Sequence, residues 1–421
     1  MARFTSTQVD IIRRHLAENP DQSPKAVAGY FERVSDLDED TALSIATVAM
    51  LIREGHEGEV AQYIDYSNTV RSDDEARTRY ANALVGGAAG DAWGYQVEFT
   101  RYVDMPSRPV PPPKGDWVVS DDTQMLLATH AALHESPDLS DINSVAEVLL
   151  KHFIAWSHDP DNNRAPGVTC MKSLRAIARG QHWNDGGAQN SAGCGAVMRL
   201  APAAFAPLET RRGLAVLQAV VTHHHPKAAL SALLLCDAFS AAGDTALLEQ
   251  ANNSIRTLRS ELPSNWRDDR FLNQVLSLLT RDPHAYLSSA LGDEPGRRGP
   301  TLADAFAAAS HKLSESLSST GWLGDPCAGV GEGWDAATAT ALGLLVADLN
   351  YAGRLDAVEA IGWAATSNGD SDSIATLAGA LIGAAHDHPE FWKTVDLQPR
   401  FEARYHRELT DAAEVGPAGT E

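Results

Sequence analysis

Apolar residues recur along this chain at spacings of three and four, the period of a helix that buries one face. Long runs of this kind occupy 79–89, 122–133, 144–156, 213–221, 227–239, 301–313, 335–348, 355–365 and 373–385. Nearer the N-terminus, Val27, Tyr30, Phe31 and Val34 share one face, and Ile45, Val48, Ala49 and Ile52 share another. Start signals precede several runs. Ser23-Pro24 reads as an N-cap followed by proline at the first helical position. Thr7 and Asp10 resemble a capping box ahead of Ile11, Ile12 and Leu16, with Asp in place of the usual Glu or Gln. Alternating strand patterns are scarce. Trp117-Val118-Val119 is the nearest, and it is too short to found a sheet. The pattern predicts an all-α, compact multi-helix protein.

Breaks divide the pattern. The segment 106–115 holds five prolines, and 159–167 and 292–300 also interrupt helical periodicity. No fixed-period repeat is present, so a solenoid is not expected. Residues 1–75 read as a small helical extension, 76–395 as the main domain and 396–421 as a C-terminal tail. The extension is acidic, with seven Lys/Arg against fifteen Asp/Glu.

The 421 residues suffice for one large domain with an appendage, and 44% hydrophobic with 21% charged residues is an ordinary globular composition. The formal charge of −22 repels nucleic-acid phosphate and suits a basic protein partner or plain solubility. The longest apolar candidate for a membrane span, 228–239, is broken by Asp237. The N-terminus has no signal-like run, and four scattered cysteines without CxxC spacing suggest a reducing compartment. The expectation is a cytoplasmic protein with no membrane contact.

Two short strings change the picture. Ser120-Asp121-Asp122-Thr123 and Asp370-Ser371-Asp372-Ser373 each place two carboxylates and two hydroxyls directly before an apolar helical run. Together they form an all-oxygen donor set suited to a hard cation such as Mg²⁺ or Mn²⁺. Each string is also what a helix start looks like, with Ser120 as N-cap and the acids favoured by the helix dipole. Both readings stand on these residues alone. His223-His224-His225-Pro226 invites zinc, but adjacent histidines rarely converge on one ion. A polar lead-in to the helix beginning near Pro226 is the simpler reading. The glycines of 86–94 read as ending a helix and letting backbone come close to a neighbour.

Four segments, in order, resemble the ADP-ribosylglycohydrolase family, the group that includes dinitrogenase-reductase-activating glycohydrolases and ADP-ribosylarginine hydrolases. GDAWGYQVEF at 90–99 is similar to that family's GDALG-x-x-x-EF, and SDDTQM at 120–125 to its TDDTQM. SAGCGAVMRLAP at 191–202 is similar to its glycine-rich MR-x-x-P segment, and GDSDSIATLAGALIGA at 369–384 to its GDTDT ending. The resemblance covers roughly 77–388 and leaves the first 75 residues outside.

The resemblance implies an all-helical fold around a dinuclear Mg²⁺ or Mn²⁺ site. It implies that Ser120, Asp121 and Asp122 hold one ion and that Asp370, Asp372 and Ser373 hold the other, with Asp372 bridging. Ser120 and Ser373 stand where threonine is usual; the hydroxyl oxygen is kept and the χ1-limiting methyl is lost. Glu98, Asp121, Asp122 and Asp372 are the implied catalytic carboxylates, with a plain surface carboxylate the other reading of Glu98. Ser191, Gly193, Cys194 and Gly195 correspond to a loop passing the ADP-ribose phosphates and distal ribose. His223 corresponds to a position near the ligand, and Gly331 and Gly333 to the opposite wall. Asp91 reads as a buried hydrogen-bonding residue, and Trp93 and Trp334 as core or pocket wall.

The implied activity is metal-dependent hydrolysis of the C1″ glycosidic bond between ADP-ribose and an acceptor. Arginine is the first choice of acceptor, ahead of serine, a nucleobase or a free ADP-ribose derivative. The implied partner is an ADP-ribosylated protein or a small ADP-ribosyl substrate. The alternative is an immunity protein whose acidic extension binds a basic ADP-ribosylating toxin. A catalytically silent member is disfavoured, since all four aspartates of the two strings are present.

Overall fold

Helices start where the sequence supplies caps. In this computed structural model, which describes residues 4, 6–34, 39–56, 60, 63, 73–187, 191–243, 246–292 and 300–419, Ser23 Oγ accepts from Ala26 N at the start of the Pro24–Val34 helix. Asp141, Asp269, Asp282, Asp335 and Asp356 cap five further helices through their carboxylates. Such caps satisfy first-turn N–H groups that have no partner within the helix. The side chains of Thr7 and Asp10 lie outside the described residues, as does all of the 292–300 break except its two ends.

About 64% of the chain is helical, and the described residues contain no strand. Two isolated bridges occur, Trp117 with Phe401 and Gly193 with Asp335. The Trp117-Val118-Val119 segment therefore supplies one bridge residue and no sheet. Among the described residues no helix is long and apolar enough to cross a membrane.

Near the N-terminus, the helices Ser6–Glu18, Pro24–Val34 and Glu39–Glu54 pack on one another. They bury Val9, Ile12, Val27, Ile45 and Val48, and His15 stacks on Tyr30 at 4.3 Å.

The site depends on one helix pair, Asp73–Tyr95 against Ser371–Ala384. Small residues let the two backbones approach. A Cβ on Gly86 would lie 2.2 Å from Gly379 O, one on Gly90 2.0 Å from Ala375 O, and one on Gly94 2.3 Å from Ser371 O. These glycines recur every fourth residue, so they form one line down a helix face. Gly86 and Gly90 sit inside a continuous helix, and Gly94 lies in its last turn, one residue before its end at Tyr95. The expectation of close backbone approach is met, and the expectation of a helix end holds at Gly94 and is corrected at Gly86 and Gly90. Burial between neighbours on several sides keeps the segment helical despite the cost of each glycine, about 1 kcal/mol.

The Ser371–Ala384 helix is buried all round, as an interior helix must be. The helices Ala336–Tyr351 and Ala357–Ala364 pack against it as well. The Asp121–Glu135 helix pairs with Ile142–Ser157, and the Arg211–Val220 helix with Pro226–Ser240. Near the C-terminus, the Ala403–Val415 helix lies against Asp73–Tyr95 and Asp121–Glu135. Bonds just before and within it tie it down: Arg164 pairs with Glu402, Arg404 with Asp159 and Asp161, and Tyr405 with Gln124.

Candidate active site

The two acidic strings meet at the starts of two helices. Ser120 is the N-cap of Asp121–Glu135, its hydroxyl accepting from Asp122 N at 3.2 Å. Asp91, near the C-terminal end of the glycine-lined helix, holds this first turn from outside. Its carboxylate accepts from Ser120 N at 3.0 Å, from Thr123 N at 3.1 Å and from the Thr123 hydroxyl. Asp91 is thus a buried hydrogen-bonding residue, as its sequence reading has it. Burial, then the charge of Asp372, push its carboxyl up to about 7.

The second string is set by the same helix. Gly94 O accepts from Ser371 Oγ at 2.9 Å, and Asp370 N donates to Glu332 O at 2.9 Å. Asp372 Oδ1 accepts from Ser373 N at 2.9 Å. The helix that carries Gly94 continues into the turn that delivers Glu98. Glu98, Asp370 and Asp372 each place one carboxylate oxygen within 4.8 Å of the other two. All three are buried.

These residues lie at the bottom of a cleft of about 400 Å³, a volume suited to a small ligand. Asp121, Asp122, Asp370, Asp372 and Ser373 line it, with Glu98 and Phe99 on one side. The 165–170 segment, Gly193, Cys194, Gly195, Met198, His223 and Trp334 complete the wall. Asp121 is tied to that wall, its Oδ2 accepting from Gly167 N at 3.1 Å. Ala165 adopts a left-handed φ of 57° there, an uncommon conformation for a residue with a side chain.

Ser120 is wholly buried and does not line the cleft, and its side chain reaches Asp372. Ser191 is also absent from the lining residues, and its hydroxyl is bonded to that of Thr169 on the wall at 2.8 Å. Gly331 and Gly333 are not among the lining residues. A Cβ on Gly331 would meet Thr338, and one on Gly333 would meet Ile374 and Asp370, so Gly333 packs against the second string and Gly331 against the Ala336–Tyr351 helix. Gly193 and Gly195 lie against the His223 ring, with ring atoms 3.3 Å and 3.1 Å from where a Cβ would be. Trp93 is core, its indole N–H donating to Val110 O, and Trp334 is pocket wall. His225 caps the Pro226–Ser240 helix through Nδ1, as the lead-in reading of the histidines expects.

The electrostatics are those of a site built for positive charge. Burial first, and the charge of Asp372 second, hold the carboxyls of Asp121, Asp122 and Asp370 well above the usual range. The same two causes push Glu98 up to about 10. Glu98 Oε2, Asp122 Oδ2 and Asp370 Oδ2 are buried without a hydrogen-bond partner. Buried carboxylates left unpaired are costly, and a divalent cation removes that cost by supplying both charge and a ligand bond. The oxygen-rich donor set fits a hard cation. Cys194, beside Asp370, is a soft donor on the cleft wall, and burial holds its thiol well above its usual value.

Two features escaped the sequence reading. Phe99 and Trp334 are 75% and 42% exposed, and their rings lie nearly parallel with centroids 6.2 Å apart. Nothing in the sequence pairs them, although each adjoins a quoted motif. Gly167 N–H is the other, a backbone donor that residue identity cannot reveal.

The chain has relatives among known proteins. It is 28% identical over 176 residues to the ADP-ribosylhydrolase ARH1 of Dictyostelium discoideum, an alignment covering 36% of this chain and 44% of that protein. The chain thus matches less than half the length of this curated relative. A solved ADP-ribosylglycohydrolase-related protein complex aligns over 80% of this chain and 97% of its own, at 21% identity and a TM-score of 0.48. The profile of the ADP-ribosylglycohydrolase family matches residues 72–414. By that match across most of its length, the chain belongs to the ADP-ribosylglycohydrolase family.

Proposed function

We propose that this protein is a metal-dependent hydrolase that removes ADP-ribose from a modified acceptor, arginine first, by cleaving the C1″ glycosidic bond. The observation that carries the reading is the buried Glu98–Asp370–Asp372 cluster at the bottom of an open cleft, in a member of this family. Three partnerless carboxylate oxygens support a cation there.

Ser120, Asp121 and Asp122 would hold one Mg²⁺ or Mn²⁺, and Asp370, Asp372 and Ser373 the other, with Asp372 shared. When bound, such cations fix vicinal ribose hydroxyls and make a nearby water easier to deprotonate. The chain's own groups do the rest. Asp91 and Gly167 N–H orient the first acidic string. Glu98 would take a proton from the attacking water and return it to the departing nitrogen. Water adds to C1″, the C1″–N bond breaks, and its electron pair leaves with the acceptor. Gly193, Cys194 and Gly195 present backbone at a cleft wall where phosphates would pass.

The arginine preference draws support from Phe99 and Trp334. Both rings line the same cleft as the cluster, and a planar guanidinium stacks on aromatic faces where a serine side chain does not. The domain reading draws on the family match beginning at 72, close to the proposed boundary at 75. A cytoplasmic setting rests on the sequence argument above. The toxin-binding alternative rests on the acidity of residues 1–75 alone.

The test is a panel of ADP-ribosylated arginine, serine, cysteine and nucleic-acid substrates, assayed with Mg²⁺ and with EDTA. Release of ADP-ribose from arginine that EDTA abolishes is the expected outcome. Release that survives thorough metal removal overturns the metal-dependent reading, and release from serine alone overturns the acceptor.

A further inference from the structure

Arg199 is buried in the core without a carboxylate among its hydrogen-bond partners. Its guanidinium donates to Gln218 Oε1 at 2.9 Å, Gln218 O at 2.6 Å and Thr222 Oγ1 at 2.7 Å, and it lies 4.4 Å from the Phe153 ring centroid. Thr222 Oγ1 lies 2.9 Å from His223 Nδ1. His223 is 2% exposed, and its Nε2 edge faces the Gly193–Gly195 wall of the cleft.

Donor and acceptor counting fixes the direction of this chain. Arginine only donates, so Thr222 Oγ1 accepts from it. The one threonine proton then goes to His223 Nδ1 at 2.9 Å, to Ala219 O at 3.5 Å or to the Cys170 sulfur, a weak acceptor. The shorter bond is the stronger one. The positive charge behind Thr222 also favours a lone pair, not a proton, on the facing ring nitrogen. With Nδ1 accepting, the neutral ring carries its proton on Nε2. Burial, then the Arg199 charge, lower the ring to about 3, so it stays neutral at ordinary pH.

We propose that Arg199 and Thr222 are positioning residues that lock His223 as a neutral Nε2–H donor to an oxygen of the bound ADP-ribose. This rests on the proposed function, because ADP-ribose is the assumed ligand. The cleft gains a donor that does not change with pH and that leaves the acidic cluster's field undisturbed by a second cation. Gly193 and Gly195 serve the same end, since a side chain at either would press on the ring.

Full-length protein carrying ¹⁵N-histidine tests this without ligand. His223→Gln identifies the His223 ring signals by their loss. Nε2 is expected in the protonated range and Nδ1 in the unprotonated range, unchanged from about pH 6 to about pH 9, well above the ring's own titration. A protonated Nδ1 overturns the proposal, because Thr222 then donates to Ala219 O or the Cys170 sulfur and not to the ring. Thr222→Val should mix the tautomers and weaken ADP-ribose binding by calorimetry about tenfold, about 1.4 kcal/mol, with Thr222→Ser restoring both. In the His223→Gln background, whose amide supplies a donor without the relay, Thr222→Val should add no further loss. A Thr222→Val protein with wild-type tautomer and affinity overturns the relay. Wild-type protein that shows the expected tautomer but binds no ADP-ribose overturns the functional reading and leaves the ring assignment standing.

Discussion

Asp372 is the residue on which the acidic cluster turns. It raises Glu98, Asp121, Asp122 and Asp370, and each of them is buried with it. A side chain that repels these neighbours, and Asp91 as well, is the one best placed to share a cation with the cluster. Calorimetric Mn²⁺ titration of metal-stripped wild type should therefore give about two sites, and Asp372→Asn should lose at least about tenfold in affinity, about 1.4 kcal/mol. Wild-type binding by the variant would end the shared-ligand assignment. Phe99 and Trp334 act at the same scale. Trp334→Ala should raise KM for ADP-ribosylarginine by roughly five- to thirtyfold, the range of about 1–2 kcal/mol for a partly desolvated cation–π contact. Its affinity for free ADP-ribose should stay near wild type. A matching loss of ADP-ribose affinity would move the aromatic pair from acceptor to adenine recognition.

At the scale of elements, the Asp73–Tyr95 and Ser371–Ala384 helices form a single device. Their glycine faces bring the backbones together, and that contact carries Gly94 to Ser371 and Glu98 to Asp370 and Asp372. A side chain on that line forces the helices apart and pulls the cluster open. Gly90→Val should cost about 3 kcal/mol of stability, the upper end for overpacking, read by chemical denaturation, and should weaken metal binding in whatever fraction remains folded. Gly321→Ala, where a Cβ meets nothing, is the control and should stay within about 0.5 kcal/mol. If Gly90→Val folds with wild-type stability, the close approach is not what holds the pair.

Across the whole molecule, the buried acids link metal, pH and stability. Without a cation, Glu98 has a folded pKa of about 10 against an ordinary 4.5. Between those values the folded state binds more protons than the unfolded state. Stability of metal-stripped protein should then fall as pH rises through that window. Thermal melts in EDTA should show a lower Tm at about pH 9 than at about pH 6, both inside the window, and saturating Mg²⁺ or Mn²⁺ should raise Tm more at the higher pH. A metal-stripped protein whose Tm climbs across that range would contradict the buried cluster. The N-terminal helices pose a separate question. Protein lacking residues 1–75 should keep its metal sites and its hydrolysis of a small ADP-ribosyl substrate. A large drop in Tm on truncation would make the segment a structural cover, and loss of a salt-sensitive protein contact would make it a docking arm.

Period and motif were legible in the chain itself. Apolar spacing gave the helices because a helix with one buried face repeats every three to four residues. Local bonds made the Ser23 and Ser120 caps readable, since each joins residues two or three apart. The four motifs marked the acidic strings and the cleft wall before any fold was known. What distance along the chain hides, only the tertiary structure decided. Asp91 and Thr123 are 32 residues apart, and Thr222 and Arg199 are 23 apart. The glycines of 86–94 looked like a helix end because glycine alone weakens a helix. The facing helix, with Ser371 lying 277 residues beyond Gly94, makes them a contact surface. Phe99 and Trp334 meet for the same reason: exposure and ring orientation are properties of packed neighbours, and a sequence does not state which neighbours those are.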